Sequence, residues 1–185
     1  MTAEVEVGLL PAGAAVDGAL VAELTALVNR VYAVAEDGLW ADGAARTTEA
    51  EMAGLVAAGE IAVARAEGGG IAGAVRVQRL ASGEGEFGML VAAPEYRGAG
   101  VGRALVAFAE EWCLDRDLTT LQLELLVPRG WSHPVKEFLR AWYTRLGYRP
   151  VRTGRIDDSY PALAPLLATP CDFVVYHKDL GRPVG

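Results

Sequence analysis

Between Glu95 and Leu105 the chain reads Glu-Tyr-Arg-Gly-Ala-Gly-Val-Gly-Arg-Ala-Leu, which sets Gly98, Gly100 and Gly102 between two differently patterned segments. Phe87 to Ala93, just before it, is short and almost wholly apolar, as a buried strand is. Leu105, Phe108, Ala109 and Trp112, just after it, recur at helical spacing. A helix start leaves backbone N–H groups unpaired and carries partial positive charge. Glycines let that backbone come close to a bulky anion. Two readings stand: a cradle for phosphate or pyrophosphate, or a tight strand-to-helix turn that binds nothing. A P-loop fits badly, because Arg103 and Ala104 follow Gly102 where Lys and Ser or Thr are needed. A dinucleotide fingerprint fits badly too, because the spacing is Gly-x-Gly-x-Gly.

The 185 residues, 52% of them apolar, suit one domain over 1–185 with a sizeable core. We expect no membrane span, because Asp, Glu, Arg or Gly interrupts the alanine-rich stretches, and no signal peptide at the N-terminus. Cys113 and Cys171 lie far apart in apolar patterns and read as buried free thiols, which suits a reducing, cytoplasmic setting. Two histidines and two cysteines show no metal-ligand spacing, so no metal is expected. The net charge of −7 argues against a nucleic-acid surface and suits a cationic amine partner.

Along the chain, Glu4 to Leu10 alternates as a strand, and Val16 to Ala35 carries Leu20, Leu24, Leu27, Val28 and Val31 on one helical face. Thr48 with Glu51 forms a capping box for a helix ending near Gly59. Strands over 60–66 and 71–80 meet at Gly68-Gly69-Gly70, a hairpin turn. A strand over 86–93, the glycine turn, a helix over 102–115 and a strand over 118–127 follow. Pro134 opens a helix expected to bury Val135, Phe138, Leu139, Trp142 and Leu146, closed by Gly147. Residues 148–156 read as a strand, 160–167 as a loop or short helix, and 172–177 as a last strand. The order is that of a mixed α/β domain.

Two signatures lie in register on this order. Arg97-Gly98-Ala99-Gly100-Val101-Gly102 is Arg or Gln, two residues, Gly, one residue, then Gly or Ala. Tyr143-Thr144-Arg145-Leu146-Gly147-Tyr148 is an aromatic residue followed four positions on by Gly and another aromatic. With the strand between them, they make the chain resemble the GNAT superfamily of acetyl-CoA-dependent N-acetyltransferases, best over residues 60–156. The resemblance implies an α/β (α+β mixed sheet) fold whose two central strands splay apart, with flanking helices. It implies acetyl-CoA (coenzyme A) as cosubstrate, its pantetheine in the splay and its pyrophosphate on the amides of the Arg97 to Arg103 turn: Arg97, Gly98, Ala99, Gly100, Val101, Gly102 and Arg103. The backbone of Leu90 and Val91 would face the pantetheine and acyl group, with the Val91 N–H as oxyanion donor. The chain departs from the resemblance at Val127-Pro128-Arg129-Gly130-Trp131, where many relatives carry an Asn that contacts the cofactor.

Acyl transfer to an aliphatic amine needs a proton acceptor, because the free base is scarce at neutral pH. Glu86, eleven positions before Arg97, is the first candidate, or else a solvated turn residue beside Glu84. Glu124 is the second; mid-strand among leucines, it is either paired with an arginine or poised as a base. Tyr143 is the candidate acid for the leaving thiolate and a pantetheine contact, or else a core aromatic. His133 is a candidate base or a helix cap. The resemblance places the acceptor pocket on the first helices and last hairpin, which nominates Tyr32, Glu36, Trp40, Asp157 and Tyr160. A non-catalytic acyl-CoA-binding sensor and transfer of a longer acyl chain remain open, as do monomer and homodimer.

Overall fold

The computed structural model describes residues 4–181. Strand β1 (Glu6–Leu9) leads through a 3-10 turn to helices α1 (Gly18–Ala35) and α2 (Glu49–Ala57). Strands β2 (Ile61–Arg65), β3 (Ile71–Arg79) and β4 (Gly85–Ala92) form a meander. Helix α3 (Val101–Leu114), strand β5 (Thr120–Pro128), helix α4 (Pro134–Arg145), strand β6 (Arg149–Arg155), the short α5 (Ile156–Ser159) and strand β7 (Cys171–Asp179) follow. The seven strands make one sheet, β1-β2-β3-β4-β5-β7-β6. Every neighbouring pair is antiparallel except β4 with β5. The expected mixed sheet between helices is present.

Local chemistry starts the helices. Asp17 accepts the Leu20 N–H at 3.1 Å ahead of α1, and Thr48 accepts the Glu51 N–H at 3.1 Å ahead of α2. Each such cap is worth about 1 kcal/mol. The capping box is half made, because the Glu51 carboxylate accepts from the Thr47 hydroxyl at 2.9 Å. His133 caps α4, its Nδ1 accepting the Val135 N–H at 3.2 Å, with Pro134 at the first helical position.

The core lies on both faces of the sheet. On one face Phe87, Leu105, Trp112, Leu121 and Tyr148 join β4 and β5 to α3 and α4. On the other, Leu24, Val28, Met52, Val56 and Met89 join α1 and α2 to β2, β3 and β4. Leu105 is fully buried, so truncation to Ala costs roughly 2–5 kcal/mol. Gly85 stands where a Cβ would collide with Cys113 Sγ, so its lack of a side chain lets α3 close against the start of β4.

Helix α1 is 18 residues and apolar enough, by length and composition alone, to cross a membrane. Its Val21, Leu24, Leu27 and Val28 are buried in the core against the sheet. One expectation needs correction: the buried face of α4 differs from the expected one. Phe138 is 60% exposed, whereas Lys136 and Tyr143 are buried. Lys136 is buried in an ion pair, described below, while Leu139, Trp142 and Leu146 pack on the core as expected.

Candidate active site

Strands β4 and β5 pair only at Gly85↔Leu121 and Glu86↔Gln122, then part. Beyond that fork their facing edges share no ladder, so the sheet opens into a splay bordered by backbone groups. Beta-4 is also bulged. Arg76 pairs with Gly88 but Ala74 with Val91, so Met89 and Leu90 oppose the single residue Val75. Met89 sits at φ +52°, a left-handed conformation that a long side chain adopts at some cost, and it is buried. Strain of this sort is held in place by surrounding structure.

The register corrects the expectation for Val91. The Ala93 N–H donates to the Ala72 carbonyl at 2.8 Å, so in this antiparallel ladder Val91 exchanges hydrogen bonds with Ala74. Its amide is committed to β3. Alternation about Val91 turns the Leu90 and Ala92 amides toward the splay instead.

At the far end of β4 lies the glycine turn. Gly98 and Gly100 have φ of +83° and +77°, and a Cβ at either would meet nothing within 4 Å. The Ala99 N–H goes to Tyr96 and the Ala104 N–H to Gly100. The N–H groups of Gly98, Gly100, Val101, Gly102 and Arg103 have no backbone partner among the described residues. Arg97 and Arg103 are exposed and make no ion pair among those residues. An open, amide-lined concavity with two free guanidinium groups has the donor chemistry for a pyrophosphate. Gly102 brings this turn against α4, its would-be Cβ 3.4 Å from the Trp142 ring.

Tyr143 reaches the core beside the fork, 6.0 Å from both the Phe87 and Tyr148 rings. Burial raises its phenol well above the ordinary value, with a smaller push from Tyr32, and its hydroxyl has no protein partner among the described residues. Its proton is therefore held more tightly than that of a free phenol. Tyr148 instead donates to Glu110 at 2.9 Å.

Glu86 stands at the fork itself. Gln78 and Gln122 donate to its two oxygens at 3.0 and 2.7 Å, and Gln122 Oε1 accepts from His177 Nε2 at 2.8 Å. Partial burial raises the Glu86 carboxyl above its ordinary value, the two amides pull against that, and Glu124 adds to it. Glu86 and Gly88 share the face of β4 that looks toward α1. Gly88 is exposed, and a Cβ there would meet nothing within 4 Å, so space is open between Glu86 and the bulge.

The expected acceptor residues sort into four groups. Tyr160 donates to Glu124 at 2.7 Å, so the partner of Glu124 is a tyrosine and not an arginine. Tyr32 lies half-buried at the end of α1 with the Arg46 guanidinium 5.2 Å above its ring. Glu36 is buried and occupied: Lys136 Nζ lies 2.6 Å from it, and the Trp40 indole donates to it at 3.1 Å. Trp40 covers a small cluster of Leu39, Leu126, Ile156 and Cys171. Asp157 pairs with Arg155 at 3.7 Å and lines a separate depression of about 320 Å³ with Arg129, Ala164 and Thr169. His133 is a cap and a tie, its Nε2 donating to the Asp37 carbonyl at 2.9 Å.

Sequence reasoning missed Gln78, Gln122, His177, Gly88 and Arg46. The polar residues Gln122 and Glu124, alternating within an otherwise apolar strand, were a readable sign of a shared polar face. Arg46, a single cation in a polar loop, gave no sign at all.

The Acetyltransferase (GNAT) domain family matches residues 57–150. Among solved structures, the N-acetylglutamate synthase of Neisseria gonorrhoeae, complexed with coenzyme A and N-acetyl-glutamate, is 14% identical at a TM-score of 0.66, over 98% of this chain and 36% of its own. A Bacillus anthracis protein in complex with acetyl coenzyme A is 16% identical at a TM-score of 0.51, over 64% of this chain and 61% of its own. An N-acetyltransferase from Staphylococcus aureus Mu50 is 10% identical at a TM-score of 0.63, over 96% of this chain and 99% of its own. The chain thus spans less than two thirds of the first two, and at these identities the likeness is one of fold. No curated protein sequence matches it.

Proposed function

The chain belongs to the GNAT acetyltransferase family, and from that premise we propose that it moves the acetyl group of acetyl-CoA onto a primary amine of a small molecule or peptide, by direct attack in a ternary complex. It is an acyltransferase, and its cosubstrate is acetyl-CoA. The observation that carries the reading is the fork. The sheet parts after Glu86↔Gln122, and the opened strand β4 runs directly into an unobstructed turn of free amides.

Bound acetyl-CoA supplies a thioester whose carbonyl carbon the amine attacks. The amides of Gly98, Gly100, Val101, Gly102 and Arg103 hold the pyrophosphate, with Arg97 and Arg103 adding charge. The Leu90 amide takes the place first given to Val91 and donates to the carbonyl oxygen as negative charge develops there. Glu86 accepts the ammonium proton, directly or through a water, and its raised pKa brings it nearer the amine it must deprotonate. The Tyr143 hydroxyl gives its proton to sulfur as the carbon–sulfur bond breaks, and it takes back the second proton that the attacking nitrogen sheds, so no phenolate is left buried. A positioned acid of this kind contributes roughly 10²–10⁴-fold, or about 3–5 kcal/mol of barrier. Glu124, tied to Tyr160, holds the incoming ammonium.

We place all of 1–185 in one catalytic domain and the protein in a reducing, cytoplasmic setting, which suits two free buried thiols that burial holds up at about 11. The test is thiol release from acetyl-CoA across a panel of amines, with Tyr143→Phe beside the wild type. Release that depends on the amine and falls in the variant supports the reading. Release with no amine, or none from any, removes it.

A further inference from the structure

Arg46 is held in place beside the acceptor space. The residue after it, Thr47, is buried and clamped to α1 by two hydrogen bonds: Asn29 Nδ2 donates to its carbonyl and its N–H donates to Asn29 Oδ1, both at 3.0 Å. Tyr32 lies one turn further along α1, and the Arg46 guanidinium rests 5.2 Å above its ring. That stacking supports a cation without neutralising it. Arg46 makes no ion pair among the described residues, in a chain whose net charge is −7.

The opposite wall of the same space is anionic. It is made by Glu86 at the fork and by Glu124 with Tyr160. The two walls are joined by main chain: the Ala41 N–H donates to Leu166 at 2.8 Å and the Ala168 N–H to Leu39 at 2.9 Å. The loop carrying Arg46 and the loop following Tyr160 are therefore one rim. Burial and the Glu124 hydrogen bond raise the Tyr160 phenol, and Arg46 is near enough to pull the other way. Beside Glu86, a Cβ at Gly88 would meet nothing within 4 Å.

We propose that the acceptor is a small zwitterion, an amino acid or a close analogue, whose ammonium faces Glu86 and Glu124 while its carboxylate is held by Arg46. This rests on the amine-acetylating function above and narrows its substrate class. A planar guanidinium fork matches one carboxylate with two parallel hydrogen bonds. A lone arginine opposite two carboxylates suits a monoanion better than a dianionic phosphate, whose second charge would be unmatched and repelled.

The experiment measures acetyl-CoA-dependent thiol release with matched acceptors: each standard L-amino acid, β-alanine and γ-aminobutyrate, each beside its carboxamide, with 2-aminoethylphosphonate as the dianionic arm. Wild type, Arg46→Gln and Arg46→Lys are compared, and acetyl-CoA affinity is read by calorimetry. The wild type is expected to favour at least one acid over its amide by about 10- to 100-fold in kcat/KM, the range of a charge-assisted hydrogen bond. In Arg46→Gln that ratio collapses toward one, chiefly through the acceptor KM, and Arg46→Lys restores part of it. A wild type that prefers amides or the phosphonate, or a ratio indifferent to Arg46, overturns the proposal while leaving amine acetylation intact. Bound acetyl-CoA with no release from any acceptor overturns both.

Discussion

The Lys136 ammonium lies 2.6 Å from the Glu36 carboxylate, and the two side chains are only 5% and 7% exposed. Glu36 ends α1 and Lys136 lies in the first turn of α4, so the pair clasps the acceptor-side helix to the helix that carries Tyr143. Removing one partner leaves a buried charge uncompensated, which costs roughly 3–5 kcal/mol, whereas replacing both is often close to neutral. Lys136→Met should therefore lower the urea midpoint sharply, and Lys136→Met with Glu36→Gln should recover most of the loss. Equal midpoints for the single and double variants would show the pair to be uncoupled.

The glycine turn offers a clean separation of binding from folding. A Cβ at Gly100 meets no atom within 4 Å, so the backbone cost of Gly100→Glu is that of its left-handed conformation, about 1–3 kcal/mol. Its carboxylate would stand where the pyrophosphate docks. Acetyl-CoA binding should vanish by calorimetry while circular dichroism keeps the wild-type spectrum. Retained affinity would show that the turn is not the cradle.

The element order was legible because its causes are local: apolar periodicity, the Asp17 and Thr48 caps, Pro134, and glycines at turns. The buried face of α4 was not, because Lys136 is buried by a partner a hundred positions away, and Phe138 lies at the surface. The same limit applies to the site. The turn and Tyr143 announce themselves in short motifs. The Glu86–Gln122–His177 chain and the Arg46–Tyr32 stack exist only once β5, β7 and the loop before α2 are brought together. The Val91 amide was misassigned because one bulge at Met89 decides which amides face the splay, and the bulge has no mark in the residue pattern.

Glu86 ties stability to activity with a definite sign. Burial raises its carboxyl above the ordinary value of 4.5, so across that window the folded protein holds a proton that the unfolded chain has shed. Its contribution to stability therefore falls as pH rises from 4.5 through the raised value. The stability of Glu86→Gln relative to wild type should climb with pH over the same window. The acid limb of kcat/KM should lie above 4.5 in the wild type and disappear in the variant, with a rate loss of about 10²–10⁴-fold at neutral pH. Parallel stability curves and an unchanged acid limb would take Glu86 out of the mechanism.

Tyr143→Phe removes a hydroxyl that no described residue engages, so folding should be nearly untouched. The loss belongs in kcat, roughly 10²–10⁴-fold if the hydroxyl protonates the leaving sulfur. Because burial keeps the phenol protonated far above neutrality, the wild type should show no alkaline limb from this group. A variant with full kcat would reduce Tyr143 to a core aromatic.

Gly88 tests the acceptor path most directly. It lies on the same strand face as Glu86, its φ is not in the left-handed region, and open space faces it. A β-branched side chain suits such a strand position, so Gly88→Val should fold at least as well as wild type. Its two methyl groups would fill the gap between Glu86 and the bulge through which the amine must pass. The acceptor KM should rise by about tenfold or more, as a loss near 1.4 kcal/mol implies, while calorimetric affinity for acetyl-CoA stays within a factor of about two. If instead the cosubstrate is the ligand that weakens, Gly88 belongs to the pantetheine side of the sheet, and the amine reaches the thioester by another route.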